Sequence, residues 1–159
     1  MRIEQTFTVA RPPEAVFDYL TDPSKLPEWQ TSKTSVEPLT DGPPRLGTRV
    51  RERTKPPGGK EFEQIVEFTA FDRPRRVRTH IVEGPYPVDG EWSFEPDGAG
   101  TRVHFVAEGP LKGAMRLLGP IATRMIDRQF RGYHENLRRH VEAGRVHDRE
   151  PGIPGADAG

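Results

Sequence analysis

The chain is predicted to fold as one α+β domain: a curved antiparallel sheet of about seven strands wrapped around one long C-terminal helix, with two short helices after the first strand. Three observations predict it. The last apolar-periodic run places Leu111, Met115, Leu118, Ala122, Met125/Ile126, Phe130, Tyr133, Leu137 and Val141 at steps of three and four, one continuous stripe on a helix. Almost everything before that run reads as short alternating segments bounded by Gly, Pro and Asp turns. A stripe of that length must lie against something large, and a sheet is what the rest of the chain offers.

Residues 2–10 alternate, with Ile3, Gln5, Phe7 and Val9 on one face and Arg2, Glu4, Thr6 and Thr8 on the other, as in a half-buried strand. Pro12-Pro13 opens a short helix whose buried side is Val16, Phe17 and Leu20. Asp22-Pro23 is a second cap-plus-proline start, leading through Leu26 to Trp29. Strands come next near 34–39 and 47–55, then 61–71, with Phe62, Gln64, Val66, Phe68 and Ala70 on one face. Val77, Thr79 and Ile81 share a face in 76–83; Val88, Gly90, Trp92 and Phe94 do so in 87–95; Val103, Phe105 and Ala107 do so in 101–108. Every turn is short, so a meander of neighbouring strands is the simplest pairing. Gly113, Gly119 and Pro120 interrupt the helical run beyond the last strand. A kink at Pro120 or a short segment before it is expected, with the main helix running from about Pro120 to about Ala143 and stopped by Gly144. Asp127 with Arg131 and Glu135 with Arg139 are spaced to pair on its outer face. The domain is therefore read as 1–144, and 145–159, rich in Gly and Pro without periodicity, as a disordered tail.

A chain of 159 residues suffices for one real core. The 24 basic and 24 acidic residues cancel, so nothing drives the protein as a whole toward nucleic acid. The arginines of the long helix are interleaved with acids, as on a solvated face. The absence of cysteine removes disulfides, thiol nucleophiles and thiolate metal sites. No run approaches the ~18 apolar residues of a membrane span, and MRIEQTFTVA lacks a signal-peptide core. A cytoplasmic protein without stable membrane insertion, a monomer or homodimer, is expected.

The order of elements, together with local motifs, resembles the helix-grip fold of the START-like or SRPBCC superfamily and its polyketide cyclase/dehydrase family. Val16, Phe17, Leu20, Asp22, Pro23 and Trp29 in PPEAVFDYLTDPSKLPEW resemble that family's opening. Gly47-Thr48, Trp92-Ser93-Phe94 and Gly100-Thr101-Arg102-Val103 resemble its later strand motifs, and the likeness spans roughly residues 2–143. The resemblance implies a deep cavity between the concave sheet and the C-terminal helix, the usual place for lipids, sterols, polyketides or other hydrophobic compounds. Small or polar residues at inward positions, Gln64, Ala70, Thr79, Gly90 and Ala107, agree with such a space.

The candidate cavity residues are Trp29, Glu52, Phe62, Gln64, Thr79, Ile81, Trp92, Met115, Leu118 and Met125. Two readings stand for most of them. Trp29 and Trp92 stack on a ligand or are plain core. Met115, Leu118 and Met125 form an adaptable wall or simply belong to the helix stripe. Gln64 and Thr79, polar on apolar faces, need a partner, which is a ligand, a water or each other. Glu52 is an inward general base or, the commoner arrangement, a rim carboxylate in a salt bridge. His80 and His104 oppose their strands' apolar parity and point outward. His134 and His140 lie six apart, unlike a zinc pair, and no metal or cofactor is called for. No Gly-x-Ser-x-Gly elbow, phosphate loop or dinucleotide fingerprint occurs.

Three functions are open, in order of preference. The first is a non-catalytic carrier or sensor of a small hydrophobic molecule of lipid, polyketide or aromatic type. The second is a cyclase/dehydrase-type enzyme using one polar cavity residue. The third is a protein-interaction module presenting an apolar patch near Leu39 and Leu46. An interior packed solid by Phe62, Phe68, Trp92, Phe94 and Phe105 would leave no cavity at all.

Overall fold

A computed structural model describes residues 1–147. Strand β1 (Arg2–Val9) leads to helix α1 (Pro13–Thr21), a three-ten turn (Pro23–Lys25) and helix α2 (Leu26–Trp29). Strands β2 (Lys33–Pro38), β3 (Arg49–Thr54), β4 (Phe62–Asp72), β5 (Arg76–Glu83), β6 (Asp89–Asp97) and β7 (Gly100–Glu108) come next, then helices α3 (Ala114–Leu118) and α4 (Pro120–His147). The caps behave as their chemistry requires: proline opens α1, and the Asp22 carboxylate accepts from the Ser24 backbone N–H at 3.0 Å to start the three-ten turn.

The seven strands form one antiparallel sheet in the order β1-β7-β6-β5-β4-β3-β2. Strands β2 to β7 are the expected meander. The first strand departs from it: β1 pairs with β7, with Gln5 opposite Phe105 and Phe7 opposite Val103. The stretch carrying α1 and α2 crosses from one edge of the sheet to the other, so the first two strands are its two edges. That crossing closes one end of the concave face.

Two irregularities alter the expected strand faces. Pairing of β4 with β5 shifts between Phe68 and Ala70 and again between Ile65 and Val66. A bulge places two residues against one and reverses the parity beyond it. Phe71, opposite Val77, thereby takes the inner face and packs on Phe17 (centroids 5.1 Å) and Phe68 (5.8 Å). Ala70, expected inward, is not on the cavity wall.

The long helix also departs from expectation. A short segment precedes it, as Gly119 and Pro120 suggest. Gly119 holds φ +42°, a left-handed conformation that a side chain disfavours, and it separates α3 from α4. Helix α4 does not stop at Gly144 but runs through it to His147. Of the stretch expected as a tail, residues 148–159 lie outside the described residues. Glu135 pairs with Arg138, not with Arg139, while Asp127 and Arg131 pair at 2.9 Å as expected.

The packed core occupies only part of the concave face. Tyr133, Leu137 and Val141 of α4 and Val16 and Phe17 of α1 bury against β1, β6 and β7, joined by Trp92, Phe94, Val103 and Phe105. Fully burying a side chain such as Leu137 or Phe17 contributes about 1.5–3 kcal/mol. The other part of the concave face, under α3 and the start of α4, is not filled.

Candidate functional site

That unfilled part is a cavity of about 960 Å³. Its sheet wall is built from the inner faces of β3, β4, β5, β6 and β7, its roof from α3 and the N-terminal half of α4, and its ends from α2 and the 56–59 turn. All ten sequence candidates lie on its wall. Alternation explains the sheet members: Glu52 on β3, Phe62 and Gln64 on β4, Thr79 and Ile81 on β5, and Trp92 on β6 all follow their strands' inward parity. Phe62 meets Tyr86 edge to face at 5.1 Å near the open side.

The helix members differ from expectation. Met125 is 64% exposed, Leu118 46% and Ile121 60%, although each touches the cavity. A stripe facing a sheet should be buried; here it faces an open space and rims its mouth. Met115 is half-buried, and only Ala122 of this part of the stripe is fully covered.

The tryptophans are buried and on the wall at once. Trp92 stacks on Phe105 (centroids 4.8 Å), and Trp29 packs edge-on to Trp92 (6.2 Å). Trp29 is 1% exposed, yet its indole N–H has no hydrogen-bond partner among the described residues. A buried donor left unpaired costs about 1–3 kcal/mol.

The polar cavity side chains form two clusters. In the first, the Lys33 ammonium meets Glu52 Oε2 at 2.8 Å with both side chains only 7–8% exposed. Lys33 also donates to Thr54 Oγ1 at 2.9 Å, and Gln64 Nε2 donates to Glu52 Oε2 at 2.8 Å. Glu52 is therefore in a salt bridge, but a buried one on the cavity wall instead of a rim pair. Gln64 finds Glu52, not Thr79; the Thr79 hydroxyl reaches only the Gly90 carbonyl, at 3.5 Å. In the second cluster, the Tyr133 phenol shares a hydrogen bond with Ser32 Oγ and accepts from Gln129 Nε2 at 2.6 Å. Burial pushes the Tyr133 phenol up, against the opposite pull of those two hydrogen bonds. Ser32, Lys33, Thr54, Gln129 and Tyr133 all line the cavity, and sequence reasoning singled out none of them as polar anchors. Ser32 and Lys33 lie in a short edge segment without periodicity.

Behind the wall lies a third polar chain. His134 is buried, stacked on Phe7 (centroids 4.5 Å) and edge-on to Phe105 (4.7 Å). Trp92 Nε1–H has only a proton to give, so His134 Nε2 accepts it, at 3.1 Å. Nδ1–H therefore donates to Gln5 Oε1 at 2.8 Å. The Gln5 amide nitrogen then donates to the Asp127 carbonyl at 2.8 Å and to Asp127 Oδ1 at 2.9 Å. Burial holds the His134 imidazole down at about 3, and the Gln5 hydrogen bond, helped by Arg131, holds the Asp127 carboxyl low. This chain locks β1, β6 and α4 together and fixes the orientation of Trp92.

His80 pairs with Asp89 and His104 with Glu4 on the outer face, as their parity predicts. Among the described residues, no three His, Cys, Asp or Glu side chains converge to hold a metal ion. No helix among them is long and apolar enough to cross a membrane.

A sequence profile of the polyketide cyclase / dehydrase and lipid transport family matches residues 1–142. No curated protein sequence matches the chain. Among solved structures, TTHA0849 from Thermus thermophilus superposes with a TM-score of 0.79 at 23% identity, covering 91% of this chain and 99% of that one. Major latex-like protein 151 from Panax ginseng gives 0.68 at 13% identity over 88% and 96%. The di-domain ARO/CYC StfQ from the steffimycin biosynthetic pathway gives 0.70 at 18% identity, covering 91% of this chain and 46% of that one. At such identities the likeness establishes the fold alone. The profile match across nearly the whole chain, on an antiparallel sheet gripping a C-terminal helix, shows that this protein belongs to the polyketide cyclase/dehydrase and lipid transport family and has the helix-grip fold.

Proposed function

We propose that this protein binds and carries a small hydrophobic molecule of lipid, polyketide or aromatic type in the cavity between its sheet and helices α3 and α4. The observation that carries this reading is the cavity itself: about 960 Å³, at the upper end of the range for small-molecule sites, with mostly apolar walls and a few grouped polar side chains. Its rim carries exposed Leu118, Ile121 and Met125, which give an apolar ligand apolar contacts at the entrance. Desolvation supplies the affinity, at roughly 25 cal/mol per Å² of apolar surface buried. Phe62, Ile81, Met115, Leu118 and Met125 on the wall would supply apolar contact. The family's description and the helix-grip neighbours support a hydrophobic ligand in general terms.

The test is native mass spectrometry of the purified protein, then organic extraction and identification of any compound that co-purifies. A stoichiometric apolar compound, lost on Trp29→Ala, is the expected result. An empty protein that also ignores fluorescent lipids and aromatic polyketides would overturn the reading.

A cyclase/dehydrase-type activity is the second reading, and one observation favours it. Glu52 puts a carboxylate on the cavity wall, with its Oε2 held by Gln64 and Lys33. A carboxylate so placed is positioned to take a proton from a folded ligand. Turnover of a poly-β-keto thioester analogue that vanishes in Glu52→Gln would establish it.

A further inference from the structure

The Lys33–Glu52 pair is badly suited to be a stabilising device. Taking two charges out of water costs several kcal/mol per ion, and apolar residues of similar size often do as well or better. Both side chains are nonetheless buried at the cavity wall, in a close contact with no excess charge. Gln64 and Thr54 complete the group, adding neutral hydrogen-bonding capacity and no further charge. The wall around the pair is apolar: Val50, Phe62, Val66 and Ile81.

We infer that this cluster is the polar-recognition end of the cavity and that it selects uncharged ligands bearing a hydroxyl, phenol or enol over carboxylic acids. The inference rests on the ligand-binding reading above and specifies the chemistry of its occupant. The cluster presents a strong donor, the Lys33 ammonium, beside a strong acceptor, the Glu52 carboxylate, whose Oε2 takes the contacts of Gln64 and Lys33. A hydroxyl fits both, because its oxygen accepts from Lys33 while its proton goes to the carboxylate. A carboxylate fits neither well. It would compete with Glu52 for Lys33 and would leave two like charges together in a site with little water to screen them. An amine meets the same obstacle from Lys33. The Ser32–Tyr133–Gln129 group, which is uncharged and starts one residue before Lys33, extends the same neutral hydrogen-bonding surface toward α4. The cationic side chains on the wall near the mouth, Lys112, Arg124 and Arg128, are exposed and solvated, so they do not alter the balance at this end.

The test compares three probes of one shape at neutral pH: 2-naphthol, 2-naphthoate and naphthalene, titrated against the full chain with tryptophan fluorescence and calorimetry. Naphthol is expected to bind at least tenfold more tightly than naphthoate. Glu52→Gln should raise naphthoate affinity about fivefold or more and so narrow the gap, because it removes the repelling charge and leaves Lys33 to receive the acid. Should that variant fold poorly, the charge-free double variant Lys33→Met/Glu52→Leu replaces it. It should lose the preference for naphthol over naphthalene. Naphthoate binding as tightly as naphthol to the unaltered protein, or a preference that survives the removal of both charges, overturns the inference while leaving the cavity reading intact. Failure of all three probes, in a protein that also carries no co-purified compound and ignores fluorescent lipids and aromatic polyketides, overturns the cavity reading and this inference with it.

Discussion

Acid should destabilise this protein through one buried imidazole. His134 is held neutral between Gln5 and Trp92, with its pKa pushed by burial from 6.5 to about 3. In the unfolded chain it titrates normally, so below about pH 6.5 the unfolded state takes up a proton that the folded state refuses. The stabilisation is fully present above the unfolded value and is lost as pH falls toward the folded one. At 1.36 kcal/mol per unit, the total is about 4–5 kcal/mol, of which about 2 kcal/mol is lost between roughly pH 7.5 and 5. Asp127, whose carboxyl is held low, adds its own loss only at lower pH, and the other four histidines are common to both proteins. The comparison is with His134→Gln, which keeps one donor and one acceptor and cannot titrate. Urea unfolding, followed by the fluorescence of Trp29 and Trp92, gives stability at each pH. The variant should be less stable at pH 7.5 because the ring contacts with Phe7 and Phe105 are gone, but its curve should be flatter by about 2 kcal/mol down to pH 5. Parallel curves for the two proteins would refute the buried neutral imidazole.

Three further outcomes are expected from the packing. Leu137→Ala, at a fully buried position of α4, should cost about 2–5 kcal/mol in urea unfolding; a loss under 1 kcal/mol would mean that α4 is not seated as described. Glu52→Leu alone strands a buried ammonium and should cost about 3–5 kcal/mol, whereas Lys33→Met/Glu52→Leu should recover most of that stability; an additive pair of losses would contradict a buried ion pair. Ile121→Asp with Met125→Asp should leave stability within about 0.5 kcal/mol, because both side chains are exposed, yet slow ligand uptake measured by stopped-flow; a large stability loss would show that the rim is packed shut.

The elements and most of their faces are legible in the residues alone. Alternation in β3, β5 and β6 sufficed to aim Glu52, Thr79, Ile81 and Trp92 inward, since the side-chain period of a strand is local. The proline and aspartate starts of α1 and the three-ten turn, and the break at Gly119, could be read because they rest on one or two residues' backbone chemistry. Packing in three dimensions settled the features that local chemistry cannot reach. The pairing of β1 with β7 depends on where the α1–α2 crossing lands, and the bulge that exchanged Ala70 for Phe71 depends on the neighbouring strand. The same helical stripe is buried at Leu137 and exposed at Met125 because the sheet side chains fill only one part of the space beneath it. The polar groups show the limit most clearly. His134 gains its role only from Gln5 and Trp92, Tyr133 from Ser32, and Lys33 from Glu52. Each of these partners is brought close by the fold and not by the chain, so spacing along the sequence carries no trace of the contact.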